Sequence, residues 1–225
     1  MSADLQTVWL TVLLASVTTL MLLFLATPLA WWLANSASRL RSIVESLVAM
    51  PLVLPPTVLG FYLLVLLNPD SFLGGLWVRA TGDSLTFSFS GLVIASVIYS
   101  LPFMVQPLQS AFRAVPMSVR ESAAVMGASP RDCFFSVILP LARRGFLTGI
   151  VLTFAHTIGE FGVVLMMGGN IPGETRVLSI AIYEHVETLN YDAAHVLALG
   201  LMGFSFLSLW LVYRVAGRGV EVFRG

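Results

Sequence analysis

From Leu5 to Ser38 the chain carries no charged or titratable side chain. A hydrocarbon core of about 30 Å is crossed by roughly 20 helical residues rising 1.5 Å each. An uncharged run of this length therefore predicts a first span over about Val8–Leu33. It lacks a basic leader and a small-residue cleavage site, so it is read as retained. Four further stretches reach spanning length, at about Ser46–Leu67, Phe89–Phe112, Gly145–Met167 and Ala193–Tyr213. None alternates with the period of two that a barrel strand requires. Helices are then the spanning structure, because lipid offers the backbone no hydrogen-bond partners. Composition agrees: 57% of the 225 residues are hydrophobic and 11% charged, against about 25% charged in soluble domains. The expected fold is an all-α polytopic bundle of five spans, one membrane domain over residues 1–225.

Arginine placement sets the orientation. With the N-terminus outside and the C-terminus inside, the inner segments hold Arg39, Arg41, Arg113, Arg120, Arg131, Arg143, Arg144, Arg214, Arg218 and Arg224. The outer segments hold only Arg79 and Arg176. The reverse topology would break the positive-inside bias. Formal net charge is zero, which gives no footing for nucleic acid. The lone Cys133 excludes an intramolecular disulfide and a cysteine metal cluster. His156, His185 and His195 are scattered, so no metal site is expected. A short outer helix is predicted over Leu178–Glu187, lying at the interface, with Ile182 and Val186 one turn apart.

The inner segment 113–144 is patterned. Ser118 precedes Glu121 at capping-box spacing, which predicts a helix starting at Val119. Gly127 suits a left-handed C-terminal cap. Ser129-Pro130 restarts a helix with Asp132 in its first turn, and Pro140 is expected to interrupt it before the fourth span.

Glu121-Ser122-Ala123, three residues, Gly127, nine residues and Val137-Ile138-Leu139-Pro140 resemble the Glu-Ala-Ala loop of bacterial ABC-importer permeases. Ser122 and Val137 depart conservatively from that pattern. Met50 to Gly60, with Pro51, Pro55, Pro56 and Thr57, resembles the second-span signature of molybdate permeases. Gly159-Glu160-Phe161-Gly162 and the stretch Gly169, Asn170, Ile171, Pro172, Gly173, Glu174, Thr175, Arg176 are similar to the end of their fourth span and its outer loop. The resemblance implies a type I importer subunit in a bacterial inner membrane. It implies a coupling helix at Glu121–Gly127 that fits a groove on a cytoplasmic ATPase dimer, with Leu139 and Pro140 closing the motif. It also implies a periplasmic binding protein that holds selectivity. Sulfate and thiosulfate permeases share much of the pattern, and tungstate is a further alternative substrate. On the inner loop, Ala123 and Ala124 permit close approach to a partner, with Val119 and Met126 as apolar anchors.

The chain has no Gly-x-x-x-x-Gly-Lys-Ser/Thr phosphate loop, so ATP and magnesium belong to another polypeptide and no cofactor is expected here. Five spans are few to enclose a gated path, which predicts a second copy. Pro55-Pro56 removes two backbone donors and is read equally as a plain kink or as part of a path. Glu160 is the acid well inside a span, where a charge costs at least about 2.5–3.5 kcal/mol. It is protonated, or a hydrogen-bond acceptor that fixes the helix; a carboxylate would repel a dianion. No Arg or Lys falls within a span. An oxyanion crossing here would rely on water, backbone N–H groups and hydroxyls such as Thr57, Ser96, Ser100, Thr153 and Thr157. An intramembrane enzyme built on His156, Glu160 and Ser100 has no nucleophile motif around it. A secondary transporter using Glu160 as a proton relay leaves the inner loop unexplained.

Overall fold

The computed structural model describes residues 3–217, so Arg218 and Arg224 lie outside the described residues. All regular structure among these residues is helical. Helix α1 (Ala3–Asn35) is a single rod with Pro28 inside it. Its hydroxyls return to its own backbone, as Thr11 Oγ1 does to the Thr7 carbonyl (2.8 Å) and Ser16 Oγ to that of Val12 (2.7 Å). This local bonding satisfies polar groups where water is absent.

Helix α2 (Leu40–Ala49) runs through a 3-10 turn (Met50–Leu52) towards α3 (Pro56–Leu67), and the axis turns by 111° between them. The turn has a clear origin. Neither Pro55 nor Pro56 can donate to the ladder, so Pro55 leaves the helical region (φ −55°, ψ 134°) and its carbonyl restarts the chain by accepting from Val58 and Leu59. This is a break rather than a kink. With 12 residues, α3 extends only about 18 Å.

Helix α4 (Phe72–Thr81) is capped by Ser71 and ends at Gly82. Helix α5 (Phe89–Arg113) keeps its course past Pro102 and Pro107. Helix α6 (Met117–Val125) begins two residues earlier than its capping-box pattern predicts. Pro116 is its cap and no side chain bonds the first turn. The capping box sits instead at α7 (Pro130–Cys133), where Ser129 and Asp132 satisfy each other's backbone N–H. Gly127 does take the left-handed conformation (φ +85°) between them.

The fourth span departs from expectation. A π segment (Phe134–Ile138) joins α7 to α8 (Leu139–Ile158), so the helical run extends over Pro130–Ile158 and Pro140 does not interrupt it. A proline ring clashes with the carbonyl four residues back. The widened turn, closed by Leu139 N–H to the Phe134 carbonyl, accommodates that ring. The real interruption lies at Gly159–Phe161, after which α9 (Gly162–Gly168) continues. Helix α10 (Leu178–Glu187) occupies the predicted residues but presents another face. Leu178, Ile180 and Ala181 are buried while Val186 is exposed. Its Leu178 N–H donates to Thr11 Oγ1 (2.8 Å), which docks it on α1. Helix α11 (Tyr191–Gly217) packs at the periphery against α8 and α10.

Among the described residues four helices are long and apolar enough to cross a membrane, and the bent α2–α3 pair makes a fifth if counted as one span. The chain is a multi-pass membrane protein. Two apolar cores stack along the bundle. One joins Leu10 and Leu14 of α1 to Leu92, Val93 and Ala95 of α5 and to Val163, Val164 and Met167 of α9. The other joins Leu22–Leu33 of α1 to Met104–Phe112 of α5 and Ala142 of α8. Thus α1 and α5 run parallel and α8 opposes them. Between the cores lies a buried polar layer: Thr18, Thr19, Ser96, Ser100, Thr153, Thr157 and Glu160.

The short helices α3 and α9 pack closely through glycine. A Cβ at Gly60 would lie 2.7 Å from Met166 Cβ and 3.2 Å from Val163 Cα; one at Gly162 would lie 2.9 Å from Pro56 Cβ. Gly60→Ala is expected to destabilise the protein by about 1–3 kcal/mol through overpacking, read as a lower apparent Tm in detergent. Gly203→Ala in α11, where nothing lies within 4 Å, should leave it unchanged or slightly raise it.

Candidate functional site

The layer between the two cores is organised by Glu160, whose side chain is 0% exposed. Helix α8 ends just before it in tight turns, Gly159 N–H to the His156 carbonyl and Glu160 N–H to that of Thr157. The carboxyl group is thereby aimed at α5. Ser96 Oγ donates to Oε2 and Ser100 Oγ to Oε1, both at 2.6 Å. These serines are one turn apart, so α5 presents a two-pronged donor that matches two carboxyl oxygens. Ser100 Oγ is also 2.9 Å from Thr157 Oγ1 and 2.9 Å from His156 Nδ1. His156 stacks on Phe103 with ring centroids 3.9 Å apart and lies 3.4 Å from Oε1. The backbone carbonyl of Glu160 accepts from Ser179 Oγ of α10. The Glu160 carboxyl oxygens and backbone carbonyl thus tie the break to α5 and α10.

The two interruptions meet on one side of the bundle. Gly162, at the start of α9, lies against Pro56 and Thr57 at the start of α3. Pro55, Thr57, Val58 and Gly159 are exposed there, whereas Thr153 and Thr157 are buried inside the protomer. The path candidates therefore divide. Pro55, Pro56 and Thr57 flank the open break, while Thr157 and Glu160 brace it from behind. Thr153 Oγ1 has no partner, nor do Thr18 Oγ1 and Thr19 Oγ1. These three orphan hydroxyls belong to the same polar layer.

At the end of the bundle beyond α9, the loop signature folds into a clamp. Thr175, fully buried, donates from Oγ1 to the Gly168 carbonyl (2.6 Å) and accepts from Ile171 N–H. Asn170 Oδ1 accepts from Arg176 Nε (2.6 Å), and both Asn170 Nδ2 and Arg176 Nη2 donate to the Glu184 carboxylate of α10. Arg176 is thus consumed by Glu184 and does not offer an unpaired positive charge. Gly173 takes positive φ against Gln6, while Pro172 and Glu174 are exposed.

At the other end lies the motif loop. Helix α6 turns Ala123 inward (3% exposed), and Val119 is half-buried, so neither forms the outer face assigned to it by sequence. The outer face is Met117, Glu121, Ser122, Ala124, Val125 and Met126, with Val125 89% and Met126 81% exposed. Ile138 enters the second core, flanked by half-buried Val137 and Leu139, while Pro140 is exposed. Glu45 of α2 accepts from Arg41 (3.1 Å) and, across to α5, from Gln109 and Arg113 (both 2.6 Å). Sequence reasoning missed this joint. Its only local sign is the Arg41/Glu45 spacing of one helical turn.

The family model described as "Binding-protein-dependent transport system inner membrane component" matches residues 26–218. The chain belongs to this family. It is 54% identical over 210 residues, 93% of each chain, to the molybdenum transport system permease protein of Azotobacter vinelandii. It is 36% identical to that of Escherichia coli K12, over 71% of this chain and 69% of the relative. In fold, this family member is similar to a chain of a bacterial alginate ABC transporter (TM-score 0.76, 16% identity, 97% of this chain and 80% of that one). It also matches a chain of the MetNI methionine ABC transporter (TM-score 0.66, 17% identity, covering 94% and 95%). The permease is a transport subunit, not an enzyme.

Removing the Glu160 carboxyl group orphans the buried Ser96 hydroxyl, at about 1–3 kcal/mol, while Ser100 Oγ keeps Thr157 and His156 as partners. Glu160→Ala is expected to lower the stability of the permease by about 1–3 kcal/mol in detergent on that basis. Glu160→Gln should cost less, because one amide oxygen still accepts. Adding Ser96→Ala to Glu160→Ala should recover part of the loss, and a double-mutant cycle showing strict additivity would disprove the network.

Proposed function

We propose that this chain is the membrane permease of a molybdate importer driven by a separate ATPase. The observation that carries the reading is the 54% identity across 93% of both chains with the Azotobacter vinelandii molybdenum permease. Two copies of the chain stand side by side in the inner membrane. Their arginine-rich ends face the cytoplasm and the Asn170–Arg176 clamp faces the periplasm, where a molybdate-binding protein delivers its load. Helix α6 docks on the ATPase dimer through Met117, Glu121, Ala124, Val125 and Met126. In support, that face is uncovered and apolar at its tip, and small residues beside it let a partner's backbone approach.

The geometry suits passage of a dianion without tight capture. Moving an isolated charge into an apolar medium costs tens of kcal/mol, so the ion must keep water or find donors. The open break offers the exposed Thr57 hydroxyl at the start of α3, a helix end whose dipole favours anions. Glu160 faces away from that opening and is engaged by Ser96 and Ser100. The anion therefore meets neither a fixed cation that would trap it nor an exposed carboxylate that would repel it. Selectivity then resides in the binding protein, and the permease alternates access.

Reconstituted with its ATPase and binding protein, the permease is expected to take up labelled molybdate only with ATP, and excess sulfate should leave uptake largely intact. Uptake abolished by sulfate would reassign the substrate. Uptake that persists on a proton gradient without ATP would overturn the whole reading. Orientation is tested separately. In a Cys133→Ser background, Met126→Cys should react with an impermeant maleimide in inside-out vesicles and stay unlabelled in intact cells.

A further inference from the structure

Helix α6 is tied covalently to its neighbours by flexible or broken backbone. Pro116 separates it from α5, and Gly127 at φ +85° separates it from α7. A displacement of α6 carried only by these links would be absorbed in the turns. The side chains supply a stiffer route. Among the described residues, the hydrogen bonds from α6 to α1 and α5 both come from Arg120. Its Nη1 donates to Asn35 Oδ1 at the end of α1, and its Nη2 donates to the Phe112 carbonyl in the last turn of α5 (3.0 Å). The Asn35 amide is itself oriented, since Nδ2 donates to the Trp31 carbonyl. Both acceptors sit at helix C-termini, where the dipole favours a cation. The guanidinium also lies over the Trp31 ring, 4.9 Å from its centroid, an arrangement a planar delocalised cation favours.

Trp31 is in turn the hub of an aromatic cluster. It meets Phe112 edge-on at 5.3 Å and Phe134 at 5.2 Å, and Phe112 meets Phe146 at 5.8 Å. Phe134 opens the π segment that leads into α8, and Phe146 lies on α8 itself. One guanidinium thus touches α1 and α5 directly and reaches α8 through two ring contacts. We infer that Arg120 is a positioning residue that passes displacement of α6 to the spanning helices, with Trp31 as its seat. It lies beside the Glu-Ser-Ala motif but not within it. The inference rests on the reading of α6 as the ATPase-docking helix.

The test uses the full transporter, permease with ATPase and binding protein, in proteoliposomes. Arg120→Ala is expected to keep the ATPase bound through purification and to keep basal ATP hydrolysis. Molybdate moved per ATP hydrolysed should fall by about tenfold, within the usual span of coupling between sites. Arg120→Lys should restore part of the ratio, because the charge over the ring returns without the two-pronged donor. Trp31→Phe should stay near the unsubstituted ratio and Trp31→Leu should fall with Arg120→Ala. An unchanged ratio in Arg120→Ala overturns the inference. So does loss of the ATPase from Arg120→Ala while Trp31→Leu transports normally, which would make Arg120 a docking residue only. If the unsubstituted permease retains no ATPase, the reading of α6 itself fails, and that result precedes any substitution.

Discussion

A carboxyl group held by two serines inside a membrane bundle fixes where this protein is allowed to break. Glu160 reaches across to Ser96 and Ser100 from the break between the end of α8 and the start of α9. A buried polar side chain is retained where partners are aligned with it, and Ser96 and Ser100 supply that alignment, one to each oxygen. That constraint propagates. It sets the place of Gly162, which admits the start of α3, and it gives Ser179 of α10 a carbonyl to bind.

The break of α2–α3 and that of α8–α9 have different causes and a shared result. Proline removes donors in the first; a side chain pulled sideways ends the second. Each frees backbone groups that lipid could not satisfy, and each is therefore stable only against protein or water. Bringing them together on one face concentrates backbone polarity at a single depth, level with the layer that separates the two apolar cores. A permease for a hydrated anion has a use for such a layer. The buried, unpartnered hydroxyls of Thr18, Thr19 and Thr153 belong to the same tier.

The fold was legible wherever one physical rule acted alone. Length and apolarity were enough to find α1, α5 and α11. Gly127 and Ser129-Pro130 marked their turns because a left-handed cap and a proline start each have one local cause. Legibility failed where two rules competed. Pro140 reads as a helix stop, yet a π turn accommodates its ring and the helix runs on. Ser118 and Glu121 have capping-box spacing, but Pro116 had already set the helix start. The tertiary joints were invisible for a plainer reason. The contacts Arg113–Glu45, Arg120–Trp31 and Ser96–Glu160 span long stretches of chain, and nothing local in a single sequence pairs them. Glu160 stood out by its cost; its partners did not.

The motif loop shows how one short helix can serve two surfaces. Small residues there suggest a face open to a partner, yet Ala123 turns inward and its neighbours Ala124, Val125 and Met126 turn out. Substitution of Ala123 by a larger residue would therefore act through the protomer's own packing, whereas one at Val125 would act through whatever covers it. With Arg120 on the inner side, one turn of α6 holds the helix ends of α1 and α5 and leaves its other face exposed. A helix that short is a weak structure alone, and the hydrogen bonds of Arg120 together with the burial of Ala123 hold its inner side in place.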